Sequence, residues 1–481
     1  MPRASSHRIL TLVGEALARR EGAFYDRLAE GLREALVDGR LPTGTRLPSE
    51  RDLTDRLGVS RTTVSRAYAE LREQGFLVSR RGSGSVLVLP EVPGGRVDHL
   101  LTPAALDDGV LDLTCTAQAA PAGTSDAYAR ALADLPGYLS GTGYYPSGLP
   151  VLRTRIAQRY TERGLPTHPD QVIVAAGALG ALAIALGALV RRGDGVLVES
   201  PTYPNAIAAI EGVGARPVAH PFDHLTYDWD VPALRERLRT SGARAAYLIP
   251  DHHNPTGALM PEPQRREVAA LLREARVRPI VDESLAELWL GEPPPAPFGR
   301  FAPGAISIGS LSKVMWGGLR IGWVRAPRQL VDQLAASRLR LDLGAPVLEQ
   351  LVAVHLLDRL DSVLAERRAA LRAGRDVLLA GLAGQLPDWR VRTPQGGMAL
   401  WCALPEVGST ALAVAARAHG VALAAGPNFA PQGGLDGWVR LPYVLGVEQL
   451  SLVPERLAAA WADVRSGRVR AAAATDRRII A

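Results

Sequence analysis

The sequence predicts an α/β chain in more than one folded part. A small helical part ending in a β-hairpin stands at the front, and a larger part follows, built on a mostly parallel sheet with helices on both faces. Three observations carry this reading. Residues 49–75 hold two helix-capping serines separated by a short turn that contains Gly58, the pattern of two helices meeting at an angle. From residue 171 onward, short apolar runs alternate with helical stretches, as in sheets covered by helices on both faces. The chain has 481 residues, too many for one ordinary core, so two or three domains are expected.

Composition narrows the class. Hydrophobic residues make up 47% and charged residues 22%, which describes globular material and excludes disorder. Cys115 and Cys402 are the only cysteines; they cannot build a disulfide framework and suggest a reducing cytoplasm. The opening "MPRASSHRIL" lacks the apolar core and small-residue cleavage site of a secretory signal. Residues 172–190 carry no charge and invite a membrane reading. They parse better as a strand at 171–175, a turn at Gly177 and a helix from Ala178 to Val190. Such a helix rises roughly 20 Å, short of the ~30 Å hydrocarbon core, so no membrane partner is expected. Net charge is +6, and residues 1–90, with 15 arginines against 11 acids, supply +4 of it. The front of the chain therefore wants an anionic partner.

The front end reads element by element. A helix fits 23–38, with Leu28, Leu32, Ala35 and Leu36 on one face and Gly39 as its stop. Ser49 caps a short helix with Glu50 and Asp52 in its first turn, and Gly58 ends it. Ser60 caps a second helix that runs to Gly75, giving helix-turn-helix geometry. "FLVSRRGSGSVLVL" is a strand, a turn holding Arg80 and Arg81, and a strand: a wing. An ordinary helical domain with solvated arginines is the plain alternative. The stretch "SRTTVSR" argues against it, because Arg61, Thr62, Thr63 and Arg66 stand at the end that a recognition helix presents to the major groove. Arginine reads guanine edges bidentately, and hydroxyls or helix N-terminal amides hold phosphates.

This stretch resembles the GntR family of winged-helix regulators, whose pattern "LPSER…LGVSRTTV" stands here as "LPSERDLTDRLGVSRTTV". The resemblance implies contact with a double-stranded DNA operator at Arg51, Arg61, Thr62, Thr63 and the wing residue Gly82, with Arg66 and Arg81 adding charge beside them. Some members carry an arginine two residues after the second threonine; here that position is Ser65, with Arg66 next to it. "PEVPGGRVDHLLTPAALDDGV" follows, rich in Pro, Gly and Asp, and reads as a linker over 90–110.

The larger part contains the chain's only lysine. Every other basic side chain is arginine, yet "SLSKVMWGGLRIGW" keeps Lys313. A coding bias that spared one lysine by chance would explain it. Chemistry explains it better: an amine forms a Schiff base with a carbonyl, and a guanidinium cannot stand in. Several apolar runs end in residues suited to the same task. "QVIVAAG" ends at Gly177, "GVLVESPTYP" at Tyr203, "AAYLIPDHHNPTG" at Asn254, "RPIVDES" at Asp282, and "AISIGSLSK" at Ser310, Ser312 and Lys313. Ligands bind such sheets at the carboxyl ends of the strands. A Schiff-base lysine holds pyridoxal 5'-phosphate, with an acid on the pyridine nitrogen. Asp282 fits that acid, Asn254 a donor to the ring hydroxyl and Tyr203 a ring stacked on the cofactor. Ser310, Ser312 and Arg320 suit a phosphate, as do the amides of Gly177, Ala178 and Leu179 opening a helix. His252 and His253 raise a metal reading; as strand neighbours they would point to opposite faces, and no metal is expected.

Over 111–470 the chain resembles fold-type I aminotransferases. "YYPSGLPVLR", "SPTYP", "HNPTG", "SLSK…GGLRIGW", "PQGGMALW" and "WVRLPY" stand in that family's order. The resemblance implies a large parallel-sheet domain with a smaller C-terminal α+β domain. It makes Lys313 the catalytic lysine that carries the cofactor, Arg320 a phosphate ligand, Tyr144 a phosphate contact reaching from a second subunit, and Arg440 a clamp on a substrate carboxylate. Three departures stand out. Ala176 replaces the serine of the phosphate turn, Gly180 replaces a polar residue, and Ser284 and Leu285 stand where a tyrosine would reach the ring oxygen.

A winged helix joined to an aminotransferase-like domain resembles the MocR-type regulators. The expected organisation is an N-terminal extension 1–21, a winged helix-turn-helix domain 22–89, the linker 90–110, an aminotransferase-like domain 111–470 and a tail 471–481. The implied function is a cytoplasmic, homodimeric, head-to-tail transcription regulator that senses a small amino compound, or pyridoxal phosphate itself, by aldimine exchange at Lys313. The alternative is a working transaminase whose front end regulates its own gene.

Overall fold

The computed structural model describes residues 22–37, 41, 45–80, 84–88 and 109–468. The extension 1–21, most of the linker, the wing tip with Arg81 and Gly82, and the C-terminal tail lie outside the described residues. The described residues divide into two compact units. One takes residues up to 88 together with 119–130, and the other takes 109–118 together with 131–468.

The first unit holds α1 (Phe24–Val37), α2 (Glu50–Leu57), α3 (Arg61–Glu73), β1 (Leu77–Arg80) and β2 (Gly84–Leu87). The apolar stripe of α1 is why it packs: Leu28, Leu32, Ala35 and Leu36 are buried against Leu53 of α2 and Val64, Tyr68 and Leu71 of α3. Both helix starts are fixed by their caps. Ser49 Oγ accepts from the Asp52 N–H at 3.1 Å, and Ser60 Oγ accepts from the Thr63 N–H at 3.1 Å, each worth about 1 kcal/mol. Gly58 ends α2 in the left-handed region at φ 64°, where a Cβ would be strained. The β1 and β2 strands pair antiparallel, Leu77 opposite Leu87.

The second unit is built on a seven-stranded sheet of order β4-β10-β9-β8-β7-β5-β6. Its strands are β4 (Val172–Ala175), β5 (Gly195–Ser200), β6 (Arg216–Pro221), β7 (Ala243–Leu248), β8 (Arg278–Asp282), β9 (Ile306–Ser310) and β10 (Gly322–Arg325), with β3 (Leu111–Leu113) preceding them in the chain. β5, β6, β7, β8 and β9 pair in parallel, while β10 is antiparallel to both β4 and β9. The unbroken apolar runs follow from burial on both faces. Val196 and Val198 of β5 enter one core with Ile173 and Leu186, and Leu197 between them enters the other with Trp229 and Leu248. The uncharged stretch becomes β4 and the helix Gly177–Leu189, and among the described residues no helix is long and apolar enough to cross a membrane.

A smaller sheet of order β11-β12-β14-β13-β3 completes the unit, with β11 (Arg390–Val391), β12 (Ala399–Ala403), β13 (Val421–Ala425) and β14 (Trp438–Pro442). It is antiparallel except where β3 lies parallel to β13, Leu111 opposite Val421. This pairing carries residues 114–116 to the C-terminal sheet. His252 and His253 correct one expectation. β7 ends at Leu248, so the pair stands in a turn and not on a strand, with His252 at φ 51°.

Candidate functional site

The site lies beyond the carboxyl ends of β4, β5, β7, β8 and β9. Lys313 follows β9 by three residues and is half-buried. Its Nζ donates to Thr116 Oγ1 at 3.0 Å. Burial pulls the amine down to about 8; the Cys115 and Asp282 charges oppose this, and the Arg440 and Arg320 guanidiniums add to it. An amine so placed keeps a nucleophilic neutral fraction near neutral pH.

Asp282 ends β8 and is buried. Its Oδ2 accepts from the Tyr247 hydroxyl at 2.7 Å, and its Oδ1 accepts from the Ser284 N–H at 2.9 Å. The two bonds fix the plane of the carboxylate. Tyr247 escaped the sequence reading, although a tyrosine amid the small residues of "ARAAYL" was a signal. Tyr203 caps the helix Pro204–Gly212 and accepts from Asn205 Nδ2 at 2.8 Å; burial raises its hydroxyl above the ordinary phenol range.

Arg440 sits in β14 and is fully buried. Its Nη1 donates to Asn254 Oδ1 at 3.2 Å and its Nη2 to the Thr114 carbonyl at 2.5 Å. The guanidinium stands 5.0 Å from the centre of the Phe429 ring. The Nε is buried without a hydrogen-bond partner, and burial pulls the group down to about 10. Both acceptors are thus neutral oxygens, a costly arrangement for a buried cation. The bond to Oδ1 leaves the Nδ2 of Asn254 as a donor. Thr114, Cys115 and Thr116, which meet Arg440 and Lys313, were also missed, because only the pairing of β3 brings them there.

An anion cradle opens the helix Gly177–Leu189. Gly177 has φ 77°, and a Cβ there would collide with the Arg320 guanidinium; one at Gly322 would collide with the Gly177 backbone. Arg320, at φ 51°, donates Nη2 to the Ala176 carbonyl at 3.0 Å. The Ser312 N–H donates to Ser310 Oγ at 3.1 Å, and that hydroxyl in turn donates to Ser312 Oγ at 3.0 Å. Ala176 offers no side-chain cap, so amides and one guanidinium form the seat, with Ala178 half-buried and Leu179 exposed beside them. A glycine-lined anion seat, a buried acid and a low-pKa amine fit pyridoxal phosphate. Tyr144 is exposed, and Gly180 lies in the first turn of the same helix. Burial drives His252 down to about 4, and both its ring nitrogens lack hydrogen-bond partners. His253 Nδ1 stands 2.9 Å from Thr256 Oγ1. Among the described residues no group of three or more His, Cys, Asp or Glu could hold a metal.

The head is a separate candidate surface. Arg51, Arg61 and Thr62 are exposed and Thr63 is half-buried. Ser60 Oγ lies 2.7 Å from Thr62 Oγ1 and 2.8 Å from Thr63 Oγ1, a hydroxyl cluster at the start of α3. Arg66 is exposed but lies over the Tyr25 ring at 3.8 Å. Ser65 donates to Glu50 Oε2 at 2.5 Å. Side-chain contacts therefore engage both positions that the sequence left open. Exposed Arg46, missed earlier, stands at the base of the wing, where a Cβ on Gly84 would come within 2.9 Å of its Nε.

Comparison with known proteins matches both parts of the chain. Residues 116–453 match the family described as aminotransferase class I and II, and residues 24–87 match the bacterial regulatory proteins of the gntR family. An HTH-type transcriptional regulator of Bacillus subtilis, YisV, is 28% identical over 78% of this chain and 83% of its own length. The 2-aminoadipate transaminase of Thermus thermophilus is 33% identical over 57% of this chain and 71% of its own. The crystal structure of LysN, an alpha-aminoadipate aminotransferase from Thermus thermophilus complexed with N-(5'-phosphopyridoxyl)-L-leucine, superposes with a TM-score of 0.68. It is 28% identical and covers 75% of this chain and 94% of its own.

Proposed function

This chain belongs to the aminotransferase class I and II family, and since a gntR-type head precedes that domain, we propose that it is a DNA-binding transcription regulator that holds pyridoxal phosphate at Lys313 and reads a small amino compound there. When bound, pyridoxal phosphate supplies an aldehyde that pairs reversibly with primary amines and a ring that draws electrons. Lys313 offers the amine, steadied by Thr116. Asp282, held by Tyr247, would meet the ring nitrogen, Asn254 would donate to the ring hydroxyl, and Tyr203 would cover the ring. The amides of Gly177, Ala178 and Leu179 would bind the phosphate with Ser310, Ser312 and Arg320.

One observation carries the sensing role. Arg440 is buried, lacks a partner at Nε and donates to two neutral oxygens. A carboxylate delivered by an effector would satisfy it bidentately. The effector is therefore an amino acid or an amine with an acidic group, which competes with Lys313 for the cofactor and shifts the population of DNA-binding states.

The domain limits 22–89 and 111–470, a cytoplasmic location and a head-to-tail homodimer belong to this proposal. Gly344 lies close against the Tyr145 backbone, and the nearby chain positions Leu139, Tyr144, Leu341 and Leu343 are exposed; exposed large apolar side chains support a second copy covering them. In the head, the operator contacts proposed are Arg51, Arg61, Thr62, Thr63 and Arg66, with Arg81 and Gly82 of the wing added on the resemblance alone. The test is operator affinity and visible absorption measured together during titration with amino acids. Coincident changes support the reading; a spectrum that changes while affinity does not defeats it. The similarity to a transaminase keeps the enzymatic alternative in view, and multiple turnovers with an amino acid and a keto acid would select it. Ser284 and Leu285, at the tyrosine position, favour the sensor.

A further inference from the structure

At the opposite end of the sheet, the first residues of β8 and the turn leading into β9 border a cavity of about 270 Å³. It falls just below the ~300 Å³ at which small-molecule sites usually begin, which restricts it to a small occupant. Leu272, Val277, Phe301 and Ala302 make an apolar floor, and Arg273, Arg276 and Arg278 line it too. No acid lines it. Arg278 is held in place by donating Nη1 to the Gly304 carbonyl at 2.9 Å. Exposed Arg273 and Arg276 make no ion pair among the described residues, and the neighbouring Glu274 is spent on Arg235 at 3.2 Å. The one element that opposes an anion is the C-terminus of the helix Glu262–Glu274. Its last carbonyls already accept backbone N–H groups, Leu271 from Ala275, Leu272 from Val277 and Arg273 from Arg276. Arg276 adopts φ 55°, a conformation that favours glycine, so the turn keeps a long cationic side chain where a bare backbone would fit best.

We propose that this cavity binds a small amphipathic anion, an aryl or short acyl carboxylate, with its apolar end on the floor and its charge among the three guanidiniums. Uncancelled guanidiniums over an apolar floor select for both properties at once: a neutral apolar molecule leaves the charge unmet, and a bare inorganic anion leaves the floor empty. The site is separate from the lysine site. β8 joins the two, running from Arg278 to Asp282, about 13 Å at strand rise, so an occupant would be sensed at the strand that presents Asp282.

The probe is 8-anilinonaphthalene-1-sulfonate, an aryl anion, titrated into the full chain after pyridoxal phosphate has been fixed to Lys313 by borohydride. Filling that pocket removes it as a competitor. One saturable site per chain is expected, displaced by hexanoate and not by hexanol. Arg276→Glu and, separately, Arg273→Glu should weaken it about tenfold, the loss of one charge-assisted hydrogen bond. Both side chains are exposed, so unchanged circular dichroism and melting are expected. Variants that bind as the parent does, hexanol competing as well as hexanoate, or loss of dye binding once the cofactor is fixed would each overturn the proposal. A chain that takes no pyridoxyl adduct yet binds the dye through Arg276 would defeat the cofactor reading and sustain this one.

Discussion

The two units hold positive charge in opposite ways. In the head, Arg51 and Arg61 stand in water, Arg61 within the turn that carries a cluster of hydroxyls. In the second unit, Arg440 is fully buried and Lys313 half-buried, and both are pulled below their ordinary pKa values by burial. Exposed charges are cheap to keep, are screened by salt and sum over many contacts, which suits a polyanion. Buried charges are expensive, weakly screened and need one partner in one geometry, which suits a small ligand. The contrast assigns bulk electrostatic attraction to one end of the chain and chemical selectivity to the other.

The largest expected effect removes the selective end altogether. Lys313→Ala should abolish the pyridoxyl adduct found by mass spectrometry after borohydride treatment, while DNA binding by the head survives. Loss of both together would break the comparison. Next comes Arg440→Leu, which replaces a buried cation by an apolar side chain. The response to L-leucine should weaken by roughly 2–3 kcal/mol, the worth of a charged hydrogen-bonded pair. The response to 3-methylbutylamine, which lacks the carboxylate, should hardly move. Equal loss for both amines would mean that Arg440 only supports the fold.

How much of this was legible in the sequence follows the same division. The head was readable because its signals are local: Ser49 and Ser60 are caps acting on residues three places on, and Leu28 and Leu32 lie one helical turn apart. At the lysine site, strand ends and turn residues such as Gly177, Asp282 and Ser310 were readable for the same reason. What stayed hidden is long-range pairing. Thr116 reaches Lys313 across 197 residues and the Thr114 carbonyl reaches Arg440 across 326, because β3 joins a sheet made otherwise of C-terminal strands. The Tyr247 bond to Asp282 depends on β7 lying beside β8, a register no local period records. Nothing local in "RIGWVR" shows that it inserts antiparallel between β4 and β9. The histidine turn misled for a related reason: the chain leaves the sheet at Leu248 with no break in the apolar character of "YLIP".

Smaller effects sharpen the contrast. Arg61→Ala should weaken operator binding about tenfold and lower the slope of log affinity against log salt by about 0.9, the signature of one lost phosphate contact. If the slope is unchanged but specificity relaxes, Arg61 reads a base edge instead. The amino-acid response at Arg440 should show far weaker salt dependence, measured on the same preparations.

The last test concerns pH and the lysine before the cofactor is added. Its folded pKa, about 8, lies below its ordinary value of 10.5 because burial disfavours the ammonium. Below pH 8 the amine is charged in both folded and unfolded chains, and the burial penalty is felt in full. Between about 8 and 10.5 the unfolded chain binds more protons than the folded one, so this group makes stability rise with pH across that window. Lys313→Met has nothing to titrate. The melting temperature of the parent relative to that variant should therefore climb from pH 8 toward 10, by a modest amount because the side chain is half-buried and the Cys115 and Asp282 charges offset part of the penalty. Parallel curves would mean that the amine is as well solvated as an arginine on the head, and the distinction between the two kinds of charge would fail at the residue where it matters most.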